Sequence, residues 1–256
     1  MIKYIVCIMA GLLAGLGTGF AGLSAAVFIS PMLMFFLGLD SFPAVGIALA
    51  SDVLASAGSA ITYARNKNID LKRGKWLMFS VILSAIAGTV CQHFLTATSV
   101  GESFMQVWLL LGMLFLGVSL LLSKKSEPVK LNLKLDYRIL SVLCGIYVGF
   151  ICGFQGTGGG LWMLFVLTAV LGFEFKKAVG TSVTIMTFTA LIGAVSHFAI
   201  KDAPDLETLI ICVVSTYLFA KAGALIANRV SPLILKKITG GMVLLSAAAM
   251  IIFAIL

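Results

Sequence analysis

The sequence predicts an all-α polytopic membrane protein made of two inverted-topology repeats, each of five helical segments. Three observations predict it. First, 61% of the 256 residues are hydrophobic and only 11% charged, with a mean hydropathy of +1.13, whereas a soluble domain carries about 25% charged residues. Second, a stretch of the N-terminal half recurs 134 residues further on. Third, the basic residues gather in alternate loops. The composition excludes a soluble globule, a disordered chain, a nucleic-acid-binding domain and a disulfide-stapled secreted module. The net charge of +8 therefore reads as membrane topology and not as affinity for an anionic polymer.

Ten apolar stretches follow one another, at 2–16, 23–39, 43–64, 76–97, 103–123, 138–154, 161–173, 178–200, 206–227 and 233–256. A helix needs about 20 residues to cross a hydrocarbon core of roughly 30 Å. The first, second, sixth and seventh stretches fall short; residues 161–173 reach only about 20 Å at 1.5 Å per residue. The N-terminal stretch, Lys3 followed by an apolar run, has the look of a signal peptide, but its recurrence inside the chain argues against that. Between 11 and 67 there are 13 identities in the 57 ungapped pairs. They include Gly11, Gly15, Gly19, Gly22, Gly38 and Gly46 with their counterparts Gly145, Gly149, Gly153, Gly156, Gly172 and Gly180. Each unit holds five segments, an odd number, so the second enters the membrane from the opposite side.

The loops after segments 3, 5, 7 and 9 hold 15 Lys and Arg, from Arg65 to Lys237, against Lys3 and Lys201 on the other face. That split places those loops in the cytoplasm and both termini outside. It holds equally if segments 1–2 and 6–7 are re-entrant hairpins. The chain divides into a first repeat over 1–123, a cytoplasmic linker over 124–137 and a second repeat over 138–256.

Glycine marks two breaks, Gly15–Ser24 and Gly149–Gly160. Each helical glycine costs about 1 kcal/mol relative to alanine, so a continuous helix is not expected there. Backbone that leaves the helix at membrane depth must line a cavity or be buried in protein. Two such tips, arriving from opposite faces, meet near the midplane. The half-helices starting near Ser24 and Leu161 then aim amide N–H groups and dipoles at a shared space suited to an anion. The four-residue spacing of Gly11/Gly15/Gly19 and Gly145/Gly149/Gly153 favours close helix packing, whereas four glycines within 156–160 favour cavity lining. Candidate substrate contacts are Gly19, Phe20, Gly22 and Ser24 in the first break, and Gln155, Gly156, Thr157, Gly158, Gly159 and Gly160 in the second. Thr181 and Ser182, at the outset of segment 8, add hydroxyls that either meet an oxyanion or bond back to the preceding turn.

Charged and titratable residues inside the segments mark coupling candidates. Asp52 near the middle of segment 3 and Lys221 in segment 9 either pair, or Asp52 takes up a proton. The alternatives are a satisfied structural acid and a lysine that snorkels to the interface. His197 ends segment 8. No nucleophile–base pair, metal-ligand cluster or cofactor fingerprint is visible, so neither an enzyme nor a cofactor is expected.

Several of these motifs resemble one family, the sulfite exporter TauE/SafE family (TSUP permeases). They are the Gly149–Gly160 stretch before a short apolar segment, Ala178-Val-Gly-Thr-Ser182, and the basic loop Arg65–Arg73. Pro31 matches the proline that the family carries after the glycine run, while Phe165 stands there in the second unit. The first unit also has Ser24-Ala-Ala where the second has three glycines. The resemblance implies a bacterial-type inner-membrane carrier that moves small sulfur-containing anions, such as sulfite, sulfonates or sulfoacetate, often outward. A passive anion channel and an uptake permease for another organic anion are the alternatives. The expected partners are a small anion and the lipid bilayer, not nucleic acid; coupling to H⁺ or Na⁺ and a homodimer stay open.

Overall fold

A computed structural model of the chain describes residues 2–95, 99–123, 136–155, 159–200 and 205–255. Among these residues there is no strand. The helices run α1 (Ile2–Ala21), α2 (Ala26–Leu37), α3 (Ser41–Arg65), α4 (Leu71–Leu95), α5 (Ser99–Leu122), α6 (Tyr137–Gln155), α7 (Gly160–Phe165), α8 (Phe175–Ile200), α9 (Leu206–Arg229) and α10 (Pro232–Ile255). A π-helical stretch, Val166–Val170, continues α7. Six helices (α1, α3, α4, α6, α8 and α9) contain stretches long and apolar enough to cross a membrane. The linker expected at 124–137 lies outside the described residues up to 135, and its last residue, Tyr137, already opens α6.

Two of the segments read as too short, the first and the sixth, are full-length helices. α1 has 20 residues and α6 has 19, about 30 Å each. Gly11, Gly15, Gly17 and Gly19 all stay helical in α1, so the break expected from Gly15 onwards is confined to residues 22–24. Packing is the reason. A Cβ on Gly15 would lie 2.7 Å from Phe219 Cβ, and one on Gly19 would lie 2.9 Å from Gly223 Cα. On α6, a Cβ on Gly149 would lie 2.7 Å from Val81 Cα, and one on Gly153 would lie 2.9 Å from Thr89 N. The glycine stripes let α1 run parallel to α9, and α6 parallel to α4, at backbone contact; this offsets their helix-propensity cost.

Around these two pairs, α3 packs on α8 and α9, and α5 on α10. The outward faces are apolar: Leu83 is 70% and Leu245 73% exposed, side chains that in a bilayer meet lipid and not water. α4 begins at Leu71, five residues before the apolar stretch. Asp70 Oδ1 accepts the Arg73 amide at 3.1 Å, so a cap draws the basic loop into the first helical turn.

The short arms α2 and α7 stop in the same way. Gly38 (φ 64°) and Gly172 (φ 65°) adopt the left-handed conformation, which glycine enters without a Cβ penalty. The amides of Leu39 and Phe173 then turn back to the carbonyls of Leu33 and Leu167, at 3.4 and 2.8 Å. The arms differ in between: α2 carries Pro31, whereas the second arm widens into the π stretch.

At the N-terminal ends of α1 and α9, Lys3 Nζ lies 2.6 Å from Asp205 Oδ2 and 2.7 Å from Glu207 Oε2. Asp205 also caps α9 through Thr208. Hydrogen bonds from Lys3 and then Thr208 hold the Asp205 carboxyl down at about 2. A depressed carboxyl stabilises the fold above its unfolded value of roughly 3.9, and that stabilisation fades as pH falls toward 2. Asp205→Asn is expected to lower the melting temperature slightly at pH 6, with the difference from wild type vanishing by about pH 2. Melting curves of both proteins across that range check it, the effect being small because the cluster is exposed.

Candidate functional site at two meeting helix breaks

α1 ends where Gly22 takes a φ of +64°. The turn is closed by Gly22 N–H donating to Thr18 O at 2.9 Å, Leu23 N–H donating to Gly17 O at 3.2 Å, and Thr18 Oγ1 donating to Leu23 O at 2.8 Å. On the other side Gly159, φ +70°, precedes α7. The two breaks touch. A Cβ on Gly160 would fall on the Gly22 carbonyl oxygen and 3.1 Å from Leu23 Cα. Only glycine permits so close an approach of two backbones.

Asp52 is fully buried on α3. Its Oδ1 accepts the Ala25 amide at 2.8 Å and its Oδ2 accepts the Ser24 hydroxyl. Ser24 Oγ in turn accepts the Ala26 amide at 3.2 Å. The positive end of α2 is thus occupied by the protein's own carboxylate. The amides of Gly22, Leu23, Ala25 and Ala26 all donate within the protein, so the first break offers a guest little. The residue 134 positions after Asp52 is Met186, and no described carboxylate occupies the corresponding place at α7. The pairing of Asp52 with Lys221 weighed from sequence does not occur: Lys221 is exposed on α9.

Ser182 of α8 is fully buried, and its hydroxyl has no hydrogen-bond partner among the described residues. It faces the first break, since a Cβ on Gly22 would lie 3.4 Å from Ser182 Oγ. A buried orphan hydroxyl costs about 1–3 kcal/mol, so it calls for a physical account. The neighbouring Thr181 points elsewhere: its Oγ1 accepts the Asp70 amide at 3.1 Å, in the α3–α4 turn. Gly19 packs on α9 and its carbonyl accepts the Tyr63 hydroxyl at 2.9 Å; Phe20 is half-buried. Gly22, Ser24, Gly160, Ser182 and Asp52 therefore come together, with Gly159 beside them. Gly156, Thr157, Gly158 and the side chains of Gln155 and His197 lie outside the described residues.

A polar seam runs on from Asp52 down one face of α3. Ser56 accepts Thr187 Oγ1 of α8 at 3.0 Å, Ser59 reaches the Ala220 carbonyl at 3.4 Å, and Tyr63 is fully buried. Asp52, Ser56, Ser59 and Tyr63 stand at successive four- and three-residue steps, the spacing of a single helix face. That spacing was the available signal for residues that composition alone hides.

The model of the sulfite exporter TauE/SafE family matches residues 7–250. The probable membrane transporter protein YunE of Bacillus subtilis is 27% identical over 218 residues, covering 76% of this chain and 78% of its own. MJ0441 of Methanocaldococcus jannaschii, also a probable membrane transporter protein, is 24% identical over 196 residues, covering 74% and 70%. YdhB of Bacillus subtilis, again a probable membrane transporter protein, is 25% identical over 232 residues, covering 88% and 90%. With the family match and six described helices apolar enough to cross a membrane, the protein is a multi-pass membrane transporter and not an enzyme. The match over most of the chain, on a helical scaffold broken twice at glycine, means that it belongs to the sulfite exporter TauE/SafE family.

Proposed function

We propose that the protein is a secondary transporter that moves small sulfur-containing anions, such as sulfite, sulfonates or sulfoacetate, outward across the inner membrane. Alternating access would turn on the meeting point of the two breaks. The observation that carries this reading is the asymmetry there. One half-helix start is already neutralised by Asp52, whereas the glycine-rich start of α7 lies against it with the unpartnered hydroxyl of Ser182 nearby. An oxyanion held by the second break would take backbone N–H groups around Gly159 and Gly160, with Ser182 as a side-chain donor. Gln155 and the glycines at 156 and 158, with Thr157 between them, belong to the same proposed cradle.

An inverted repeat supports the mechanism. α2, α3 and α7, α8 begin 134 residues apart, at Ala26 and Gly160, and at Ser41 and Phe175. The pairing of α1 with α9 becomes that of α6 with α4 when the halves are exchanged, while α3–α8 and α5–α10 map onto themselves. Such exchange symmetry lets one arrangement open to either face. With the basic loops cytoplasmic, both termini lie outside.

Flux into vesicles containing the purified protein tests the reading, with sulfite, sulfoacetate and taurine as substrates. A carrier saturates and exchanges labelled for unlabelled substrate; flux without saturation or exchange indicates a channel, and no anion-dependent signal overturns the proposal. Ser182→Ala is expected to raise the KM about tenfold while leaving the melting temperature unchanged or slightly higher, since it removes an orphan polar group. A fall in stability with unchanged KM would remove Ser182 from the site.

A further inference from the structure

One pair of helix contacts breaks the exchange symmetry. α3 lies along α9 through the half of the protein next to the basic loops. A Cβ on Gly58 would lie 2.7 Å from the Tyr217 ring. The Ser59 hydroxyl reaches the Ala220 carbonyl at 3.4 Å, and Asn68 Nδ2 donates to Asn228 Oδ1 at 2.6 Å. Lys176 Nζ of α8 ties down the same end by donating to the Asn228 carbonyl at 2.8 Å. Gly58, Ser59 and Thr62 are all buried along this seam.

Exchanging the halves carries α3 onto α8 and α9 onto α4. The glycine stripes fix the register, since Gly19 presses on the Ala220 carbonyl as Gly153 does on that of Ala85. Gly58 and Tyr217 then correspond to Ile192 and Ile82, Ser59 to Gly193 and Thr62 to Ser196. Yet α8 packs only lightly on α4. They meet at the basic-loop end, where a Cβ on Gly74 would lie 3.0 Å from Thr181 Cγ2. Toward the face that carries the termini, Ile192, Gly193 and Ser196 are half-buried. The atoms nearest a Cβ on Gly193 belong to Leu49 of α3 and not to α4. Leu191 and Val195, 48% and 60% exposed, are apolar as a lipid-facing side requires. Gly193 and Ser196 are instead small or polar, and they share a helix face with Ser182, Met186 and Thr189 at three- and four-residue steps. The gap beside α4 therefore follows the face of α8 that carries Ser182.

We infer that this conformation is closed toward the basic loops and open toward the termini, with the α3–α9 seam and the α4–α8 gap as its two gates. In the opposite state α4 closes on α8 as α9 here closes on α3, and the bonds of Asn68 and Lys176 to Asn228 part. The glycine-locked pairs α1–α9 and α4–α6 are the moving parts, and α3 and α8 stay packed on each other between them. The inference rests on the inverted repeat and alternating access proposed above, but not on which anion is carried.

The test uses the full-length protein in nanodiscs, where both faces meet water and the flanks meet lipid. A charged maleimide, which enters water-filled space but not lipid, labels added cysteines against the background of the wild-type chain. Ser196→Cys and Ile192→Cys are expected to react at least about tenfold faster than Thr62→Cys and Ser59→Cys, because a site reached only from a minor state waits on a population of about 10% or less. Equal rates, or an unreactive Ile192→Cys, overturn the inference. A short bifunctional maleimide then follows the gates themselves. It should link Gly58→Cys to Tyr217→Cys readily, and Ile82→Cys to Ile192→Cys more slowly, as the opposite state is visited. Linkage of the first pair without the second would show a fixed gap and also overturns the inference. The single variants carry the test if a double variant does not fold. Neither readout uses a substrate, so an absence of sulfur-anion flux would strike the proposed function and leave the gates standing.

Discussion

Gly160→Ala is expected to yield little folded protein, with a destabilisation of about 3 kcal/mol or more, at the top of the overpacking range. The added methyl would meet the Gly22 carbonyl and the Leu23 Cα. Both are backbone atoms, tied into the turn that ends α1 by the Thr18–Leu23 and Gly22–Thr18 hydrogen bonds. A flexible side chain swings away at little cost; this backbone moves only if α1 shifts, and α1 is locked on α9 by its own glycine stripe. The strain therefore parts the two breaks. Gly241→Ala is the control, because nothing lies within 4 Å of its Cβ position and the residue sits inside α10. It should be neutral or stabilising by up to about 1 kcal/mol. Yield and melting of the purified proteins, by size-exclusion chromatography and a thermal ramp, compare the two. Normal melting of Gly160→Ala would show that the breaks do not press together.

How far the sequence predicts the fold depends on which interaction decides each element. The short arms were legible because Gly38 and Gly172 stop them locally, and a local stop is written in a few adjacent residues. The helical class was legible from hydropathy over segment-length windows. The continuity of α1 and α6 was not. Whether Gly15 or Gly149 breaks a helix depends on what faces it, here Phe219 on α9 and Val81 on α4, dozens of residues away in each case. Propensity favoured a break and packing overrode it. At the site, the meeting of Gly22 with Gly160 followed from the repeat and the glycine density. The fates of Thr181 and Ser182 did not: adjacent helical positions point about 100° apart, and only the position of the α3–α4 turn decides which one is used up as a cap. The role of Asp52 was visible as an intramembrane acid, but its partners Ser24 and Ala25 belong to a different helix start.

Asp52 separates structure from coupling. Its carboxylate accepts the Ser24 hydroxyl and the Ala25 amide in full burial. Asp52→Ala orphans both donors, at about 1–3 kcal/mol for each buried group left unpaired, and is expected to unfold the start of α2. Asp52→Asn is nearly isosteric. Its carbonyl oxygen can still accept from Ala25, and its amide can donate to Ser24 Oγ, so the protein should fold and melt within a few degrees of wild type. What asparagine lacks is a proton to exchange. An anionic guest at the adjacent break and a charged Asp52 repel each other through a medium that screens poorly, so loading the anion is linked to neutralising the acid. On that linkage Asp52→Asn is expected to retain exchange of labelled for unlabelled substrate and to lose accumulation driven by a pH gradient. Vesicle flux with and without an imposed gradient measures both quantities in one preparation. If accumulation by Asp52→Asn follows the gradient as wild type does, Asp52 serves α2 alone and the coupling ion binds elsewhere; if exchange disappears along with accumulation in a protein that melts normally, Asp52 is needed for holding the anion itself.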